Sequence, residues 1–231
     1  MAKNKRLYGC TECGATFSKW AGQCSECQAW NTLVETVIDT TPVGGSGAGR
    51  SSHWAGEAAQ VKTLAEVSTE ETPRQPSGSS ELDRVLGGGL VSGSVVLIGG
   101  DPGIGKSTIL LQTLCQLARN MPALYVTGEE SQQQVAMRAE RLGLPRDQLK
   151  VMTETCIENI IATARREQPR VMVVDSIQTI FTEQLQSAPG GVAQVRESAA
   201  LLVRFAKQSG TAIFLVGHVT KEGSLAGPRV L

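Results

Sequence analysis

From Val95 onward, short apolar runs alternate with stretches whose apolar residues recur at helical spacing. Val95-Val-Leu-Ile98 is bounded by glycines and is too short for a helix, so it predicts a buried strand. Lys106 to Asn120 then carries Ile109, Leu110, Thr113, Leu114 and Leu117 on one face and predicts a helix. The pattern recurs. Strands are predicted at Leu124 to Thr127, near Val151, at Val171 to Val174 and at Ala212 to Val216; helices are predicted at Ser131 to Leu142, closed by Gly143, at Ile157 to Glu167 and at Val192 to Gln208. Parallel strands need crossover connections, which are usually helical, so this alternation predicts an α/β fold: a doubly wound, mainly parallel sheet with helices on both faces. No internal repeat is visible in the sequence.

Upstream the pattern changes. Ser80-Glu-Leu-Asp83 has the serine and acid spacing of a helix start, and Gly87-Gly88-Gly89 ends that helix within two turns. The stretch Thr40 to Ser52, TTPVGGSGAGRSS, holds too little apolar surface to offset the entropy of ordering it and reads as a flexible linker. Before it lies a head rich in Cys and Trp, from about residue 8 to 35. The chain therefore divides into a module over 1–36, a linker over 37–60 and an α/β unit over 61–231.

Composition narrows the class. With 41% hydrophobic residues in 231, one sizeable core plus a small satellite is available. Lys+Arg and Asp+Glu both total 22, so no global basic field draws in nucleic acid, and any DNA contact must come from local loops. No stretch approaches the roughly 20 consecutive apolar residues of a membrane span, and the start lacks an apolar signal region. The chain reads as cytosolic, without a membrane partner. In that reducing compartment close Cys pairs act as metal ligands rather than disulfides, while Cys115 and Cys156, in helix-like segments, read as packing residues.

Those pairs are Cys10-x-x-Cys13 and Cys24-x-x-Cys27, ten residues apart, a spacing that lets two knuckles bring four thiolates to one tetrahedral zinc. Four protein ligands leave no position for water, so the metal is expected to be structural. Lys19, Trp20 and Trp30 stand around the knuckles; they are candidates for DNA or protein contact, or for packing within the module.

Gly100-Asp101-Pro102-Gly103-Ile104-Gly105-Lys106-Ser107 fits the phosphate-binding pattern G-x-x-x-x-G-K-[ST], with Thr108 next, and it lies between an apolar strand and a helix as the chemistry requires. The glycines let backbone N–H groups turn toward the phosphates, Lys106 neutralises β/γ charge, Ser107 ligates Mg²⁺, and the helix N-terminus adds its positive end. Val171-Met-Val-Val-Asp175 ends a buried strand in an acid that can hold Mg²⁺ through water; Ser176 beside it is a weaker candidate. Glu129 and Glu130 follow another strand's C-terminal end, the edge where α/β ligand sites form, and one of the two is the candidate general base. His218 ends the last strand, within reach of a γ-phosphate on that edge. From there it can report to the Gly-bearing loop Val219 to Pro228, whose Lys221 favours a DNA backbone.

Together these residues resemble the bacterial RadA/Sms family of DNA repair and recombination proteins over nearly the whole chain. The carriers are CTECGATFSKWAGQCSECQAWNT, SGSSELDRVLGGGLVSGS, GGDPGIGKST, YVTGEES, VMVVDSIQT and GHVTKEGSLAGPRVL. The resemblance implies a zinc ribbon joined to a RecA-like ATPase that binds ATP and Mg²⁺. It further implies a homo-hexameric, DnaB-like helicase that drives branch migration on single-stranded or branched DNA alongside the RecA recombinase. It gives the ATPase roles to Lys106, Ser107, Asp175 and Glu129, in preference to Glu130, and puts His218 and Lys221 in the nucleotide-sensing and DNA-contacting region. Family members continue with further strands, a Lys-Asn-Arg-Phe-Gly motif and a Lon-protease-like domain, so the sequence is expected to be a piece of such a protein. Two other readings share the nucleotide motifs: a strand-exchange or clock-type RecA-like ATPase, which needs no four-Cys head, and a nucleotide-switched protein whose head recruits a partner without motor activity.

Overall fold

The computed structural model of the chain describes residues 6–10, 16–26, 28–37, 63 and 73–218. Cys13, Cys27, the linker stretch Thr40 to Ser52 and the loop Val219 to Pro228 with Lys221 lie outside the described residues.

In the head, β1 (Arg6–Cys10) pairs antiparallel with β2 (Thr16–Phe17) on one side and β3 (Leu33–Val37) on the other. Its buried cluster is Cys10, Cys24 and Leu33, flanked by the half-buried Tyr8 and Phe17. A core this small cannot by itself offset the entropy of ordering the module.

The α/β unit starts with α1 (Ser80–Val85), then β4 (Val95–Gly100), α2 (Lys106–Leu117), β5 (Ala123–Thr127) and α3 (Gln132–Arg141). It continues through β6 (Lys150–Thr153), α4 (Ile157–Glu167), β7 (Val171–Asp175), a 3₁₀ turn at Ile177–Thr179, α5 (Val192–Ser209) and β8 (Ala212–His218). Every strand pair in this sheet is parallel, in the order β4-β8-β7-β5-β6. The expected doubly wound α/β fold is what forms.

The two faces are set by the two-residue period of the strands. Ala123, Tyr125, Val171, Val173, Ala212, Phe214 and Val216 pack with Leu110, Leu111 and Leu114 of α2 and with Val135 and Ala139 of α3. The alternate residues Leu124, Val126, Met172, Val174, Ile213 and Leu215 pack with Ile157 and Ile160 of α4 and Leu202 and Phe205 of α5. Complete burial of a side chain such as Phe214 or Met172 contributes roughly 1.5–3 kcal/mol. β5, β7 and β8 are buried along nearly their whole length because both faces are covered.

Some boundaries move. The N-cap of α1 is Ser79, whose hydroxyl accepts from the Leu82 N–H, so the helix begins at Ser80 rather than being capped by it. α2 ends at Leu117 instead of Asn120; the next three residues turn ahead of Pro122, which disfavours helical backbone before it. α3 is capped as its sequence implies, with the Ser131 hydroxyl accepting from the Gln134 N–H and the Gln134 side chain accepting from the Ser131 N–H. Cys115 and Cys156 are buried. No helix among the described residues is long and apolar enough to cross a membrane.

Candidate functional site

The C-terminal ends of β4, β8, β7 and β5 bring together most of the residues singled out from the sequence. The loop from Gly100 to Gly105 joins β4 to α2, and its outer residues are exposed. Gly103 and Gly105 have φ of 83° and 100°, a region closed to most L-residues, and a Cβ at either would meet nothing within 4 Å. Backbone shape, not crowding, is what requires glycine there. The ammonium of the buried Lys106 donates to the Gly100 and Asp101 carbonyls at 2.7 and 2.8 Å, spanning the inside of the loop. Phosphate oxygens in that space would replace two neutral acceptors with stronger, charged ones.

Asp175 ends β7, only 5% exposed, on the α2 face. Tyr125, fully buried on the same face of β5, donates its phenol proton to Asp175 Oδ2 at 2.5 Å. Burial pushes the Tyr125 pKa far up, reinforced by the Asp175 charge and hydrogen bond, while the Arg138 charge and the nearby Ser107 hydroxyl oppose the rise. Tyr125 and Asp175 thus connect β5 to β7 across the floor of the site.

The adjacent carboxylates diverge. Glu129 accepts from the Ser176 hydroxyl at 2.6 Å, and His218 Nε2 lies 3.1 Å from the same Oε1. Burial would raise the Glu129 pKa, but the Ser176 and His218 hydrogen bonds and the His218 and Lys106 charges outweigh it and hold it below the usual carboxylate range. Glu130 instead pairs with Arg138 of α3. One carboxylate therefore faces the strand ends and the other is tied to a helix.

Gly128 sets this divergence. Its N–H donates to the Asp175 carbonyl at 2.8 Å, and a Cβ there would overlap the Thr179 hydroxyl, which itself donates to the Ser176 carbonyl. Gly128→Ala is expected to push the 3₁₀ turn away, part Glu129 from Ser176 and lower ATP turnover at least tenfold with a folded core retained, measured by steady-state hydrolysis and circular dichroism.

In the head, Cys10 and Cys24 are both buried in one cluster, one from each knuckle. The second knuckle turns tightly, with the Gln28 N–H donating to the Cys24 carbonyl and the Cys24 N–H to the Ala29 carbonyl. Trp20 and Trp30 are 58% and 69% exposed, which removes the packing reading for both.

Comparison with known proteins gives two family matches, to separate parts of the chain. The rubredoxin metal binding domain matches residues 8–35 and the AAA domain matches residues 60–224. DNA repair protein RadA of Pseudomonas aeruginosa is 81% identical over 231 residues, all of this chain and 50% of the relative. The chain belongs to the RadA family of AAA-domain proteins. Within that family, RadA of Escherichia coli is 58% identical over 229 residues and RadA of Bacillus subtilis 48% identical over 232, each match again covering 50% of the relative. The chain spans about half the length of the curated relatives it matches. Its architecture is that of the family: an N-terminal zinc ribbon and an AAA-type α/β domain.

Three residues that the sequence did not single out complete this RadA-family site: Tyr125, Arg138 and Thr179. Tyr125 had a legible signal. It lies two residues before Thr127, the register partner of Asp175, so strand parity puts both side chains on one face.

Proposed function

We propose that the chain is the ATP-binding and hydrolysing part of a DNA repair ATPase. The observation that carries this reading is the meeting of Lys106, Ser107, Asp175 and Glu129 at one sheet edge, with Glu129 held by Ser176 and His218. Gly100, Asp101, Pro102, Gly103, Ile104, Gly105 and Thr108 form and follow the phosphate cradle around Lys106 and Ser107.

The donor set fits a magnesium nucleotide. A hydroxyl at the start of α2 and a buried carboxylate at the end of β7 are hard oxygen ligands, and a helix N-terminus beside a lysine suits a polyphosphate. Ser107 and Asp175 would hold the metal, which supplies charge neutralisation on the β- and γ-oxygens. Lys106 leaves its two carbonyls for those oxygens. Glu129, kept ionised by its partners, orients the attacking water and accepts its proton; its low pKa makes orientation the larger contribution. His218, sharing Oε1 of Glu129 with Ser176, moves when a γ-phosphate draws Glu129 or the ring toward it. Its place at the end of β8 carries that movement to the following loop and Lys221.

Glu130, neutralised by Arg138, has no part in this scheme. Glu129→Gln is therefore expected to cut turnover by on the order of a hundredfold while ATP still binds, and Glu130→Gln to change turnover less than threefold, read by phosphate release and nucleotide titration side by side. The reverse ranking would remove Glu129 from its role.

The module over 1–36 holds structural zinc through Cys10, Cys13, Cys24 and Cys27, the segment over 37–60 is its linker, and 61–231 belongs to the ATPase. In the whole protein we place this unit in a cytoplasmic homo-hexamer that couples hydrolysis to movement on single-stranded or branched DNA, driving branch migration with the RecA recombinase. Its names among relatives and its AAA domain support this reading. ATP turnover of the whole protein that stays the same when single-stranded DNA is added would favour a nucleotide-switched module over a motor.

A further inference from the structure

The scheme above leaves a buried phenol without a task. Tyr125 sits in the middle of β5, fully buried among Leu, Val and Phe side chains, at a position a phenylalanine would fill equally well. Burying a hydroxyl without a partner costs about 1–3 kcal/mol, so its presence needs a reason. Its hydroxyl donates at 2.5 Å to Asp175 of β7, the carboxylate that reaches the site from the neighbouring strand. Among the described residues, Tyr125 makes the one side-chain hydrogen bond to the Asp175 carboxylate.

The direction of that bond decides what it can do. The Tyr125 proton has an anionic acceptor in Asp175 Oδ2, which orients the carboxylate and leaves its Oδ1 for a metal-bound water. Buried and made to a charged acceptor, such a bond is stronger than one between neutral groups.

We propose that Tyr125 is a positioning residue for the divalent cation, setting the orientation of the Asp175 carboxylate before nucleotide arrives. This rests on the magnesium-nucleotide reading of the site. Tyr125 touches neither nucleotide nor metal; it acts through Asp175, as hydrogen-bonded partners of metal ligands commonly do.

The test is the affinity of the full chain for a fluorescent adenine nucleotide, titrated across free Mg²⁺ from EDTA upward, for wild type, Tyr125→Phe, Asp175→Asn and the double variant. The phenylalanine keeps the ring and its packing. The expected result is that Tyr125→Phe raises the Mg²⁺ needed for half-maximal tight binding about tenfold and leaves affinity in EDTA unchanged. Added to Asp175→Asn, it should change the Mg²⁺ requirement no further, since the carboxylate it orients is already gone. An unaltered Mg²⁺ requirement in Tyr125→Phe, or an equal loss with and without Mg²⁺, would overturn the inference and leave the site reading standing. A wild-type chain with no Mg²⁺-dependent step would instead overturn the site reading itself, and the inference with it. If Tyr125→Phe does not fold, fluorotyrosine labelling gives the second reading, because the sequence has just two tyrosines, Tyr8 and Tyr125. The Tyr125 ¹⁹F resonance should shift when Mg²⁺ is added to nucleotide-loaded protein, and a stationary resonance overturns the proposal.

Discussion

Lys106→Ala is expected to abolish ATP binding at micromolar concentrations, a loss on the order of a hundredfold or more in affinity, with an unchanged melting temperature. The two halves of that expectation come from the same geometry. The ammonium sits inside the loop with two carbonyl partners at 2.7 and 2.8 Å, where it is the nearest cation to any bound phosphate. Charge-assisted hydrogen bonds contribute about 1.5–3 kcal/mol each, so losing two to a triphosphate gives about a hundredfold or more. The folded chain loses little, because those carbonyls belong to a loop whose outer residues are exposed and water can replace the lysine. Equilibrium nucleotide titration together with thermal denaturation checks both halves. Ordinary ATP affinity in the variant would remove Lys106 from the site.

Cys10→Ser is expected to lower bound zinc from about one per chain toward zero and to unfold the head while ATP affinity stays as it was. Among the described residues of the head, the buried ones are Cys10, Cys24 and Leu33, two of them proposed ligands, so removing the metal removes what that core is built on. Metal binding in structural zinc modules is worth about 10–16 kcal/mol near neutral pH, far more than burial of Leu33 and parts of Tyr8 and Phe17 can supply. The α/β unit has its own two-faced core, which shares no residue with the head cluster. Zinc analysis and limited proteolysis read the outcome. Stoichiometric zinc retained by Cys10→Ser would contradict the four-thiolate site.

The sequence made the α/β order legible because the buried strands are short apolar runs and α1, α3 and α5 are capped by serine or closed by glycine. α4 begins at Ile157 and ends at Glu167 as its periodicity says. What sequence left open are matters of side-chain direction. Glu129 and Glu130 are neighbours in an identical local pattern; only the approach of Arg138 from α3, and of Ser176 and His218 at the ends of β7 and β8, separates their roles. Tyr125 reads as one more apolar strand residue in LYVT until the β5–β7 register is known, and then it faces Asp175. Trp20 and Trp30 carry no periodic signal in a short irregular module, so their exposure could not be read in advance. His218 was legible by position alone, at the end of an apolar strand, whereas its contact with Glu129 depends on β8 lying beside β7 rather than at the sheet's edge.

A magnesium nucleotide seated at the carboxyl ends of β4, β7 and β5 is what gives every residue of the site its role. Calorimetric titration of the folded, zinc-loaded chain with ATP, with Mg²⁺ present and then with EDTA, tests that most directly. Saturable uptake of about one nucleotide per chain, weakening at least tenfold when Mg²⁺ is withdrawn, is the expected result. A folded chain that takes up no adenine nucleotide, or binds it equally well in EDTA, would contradict it.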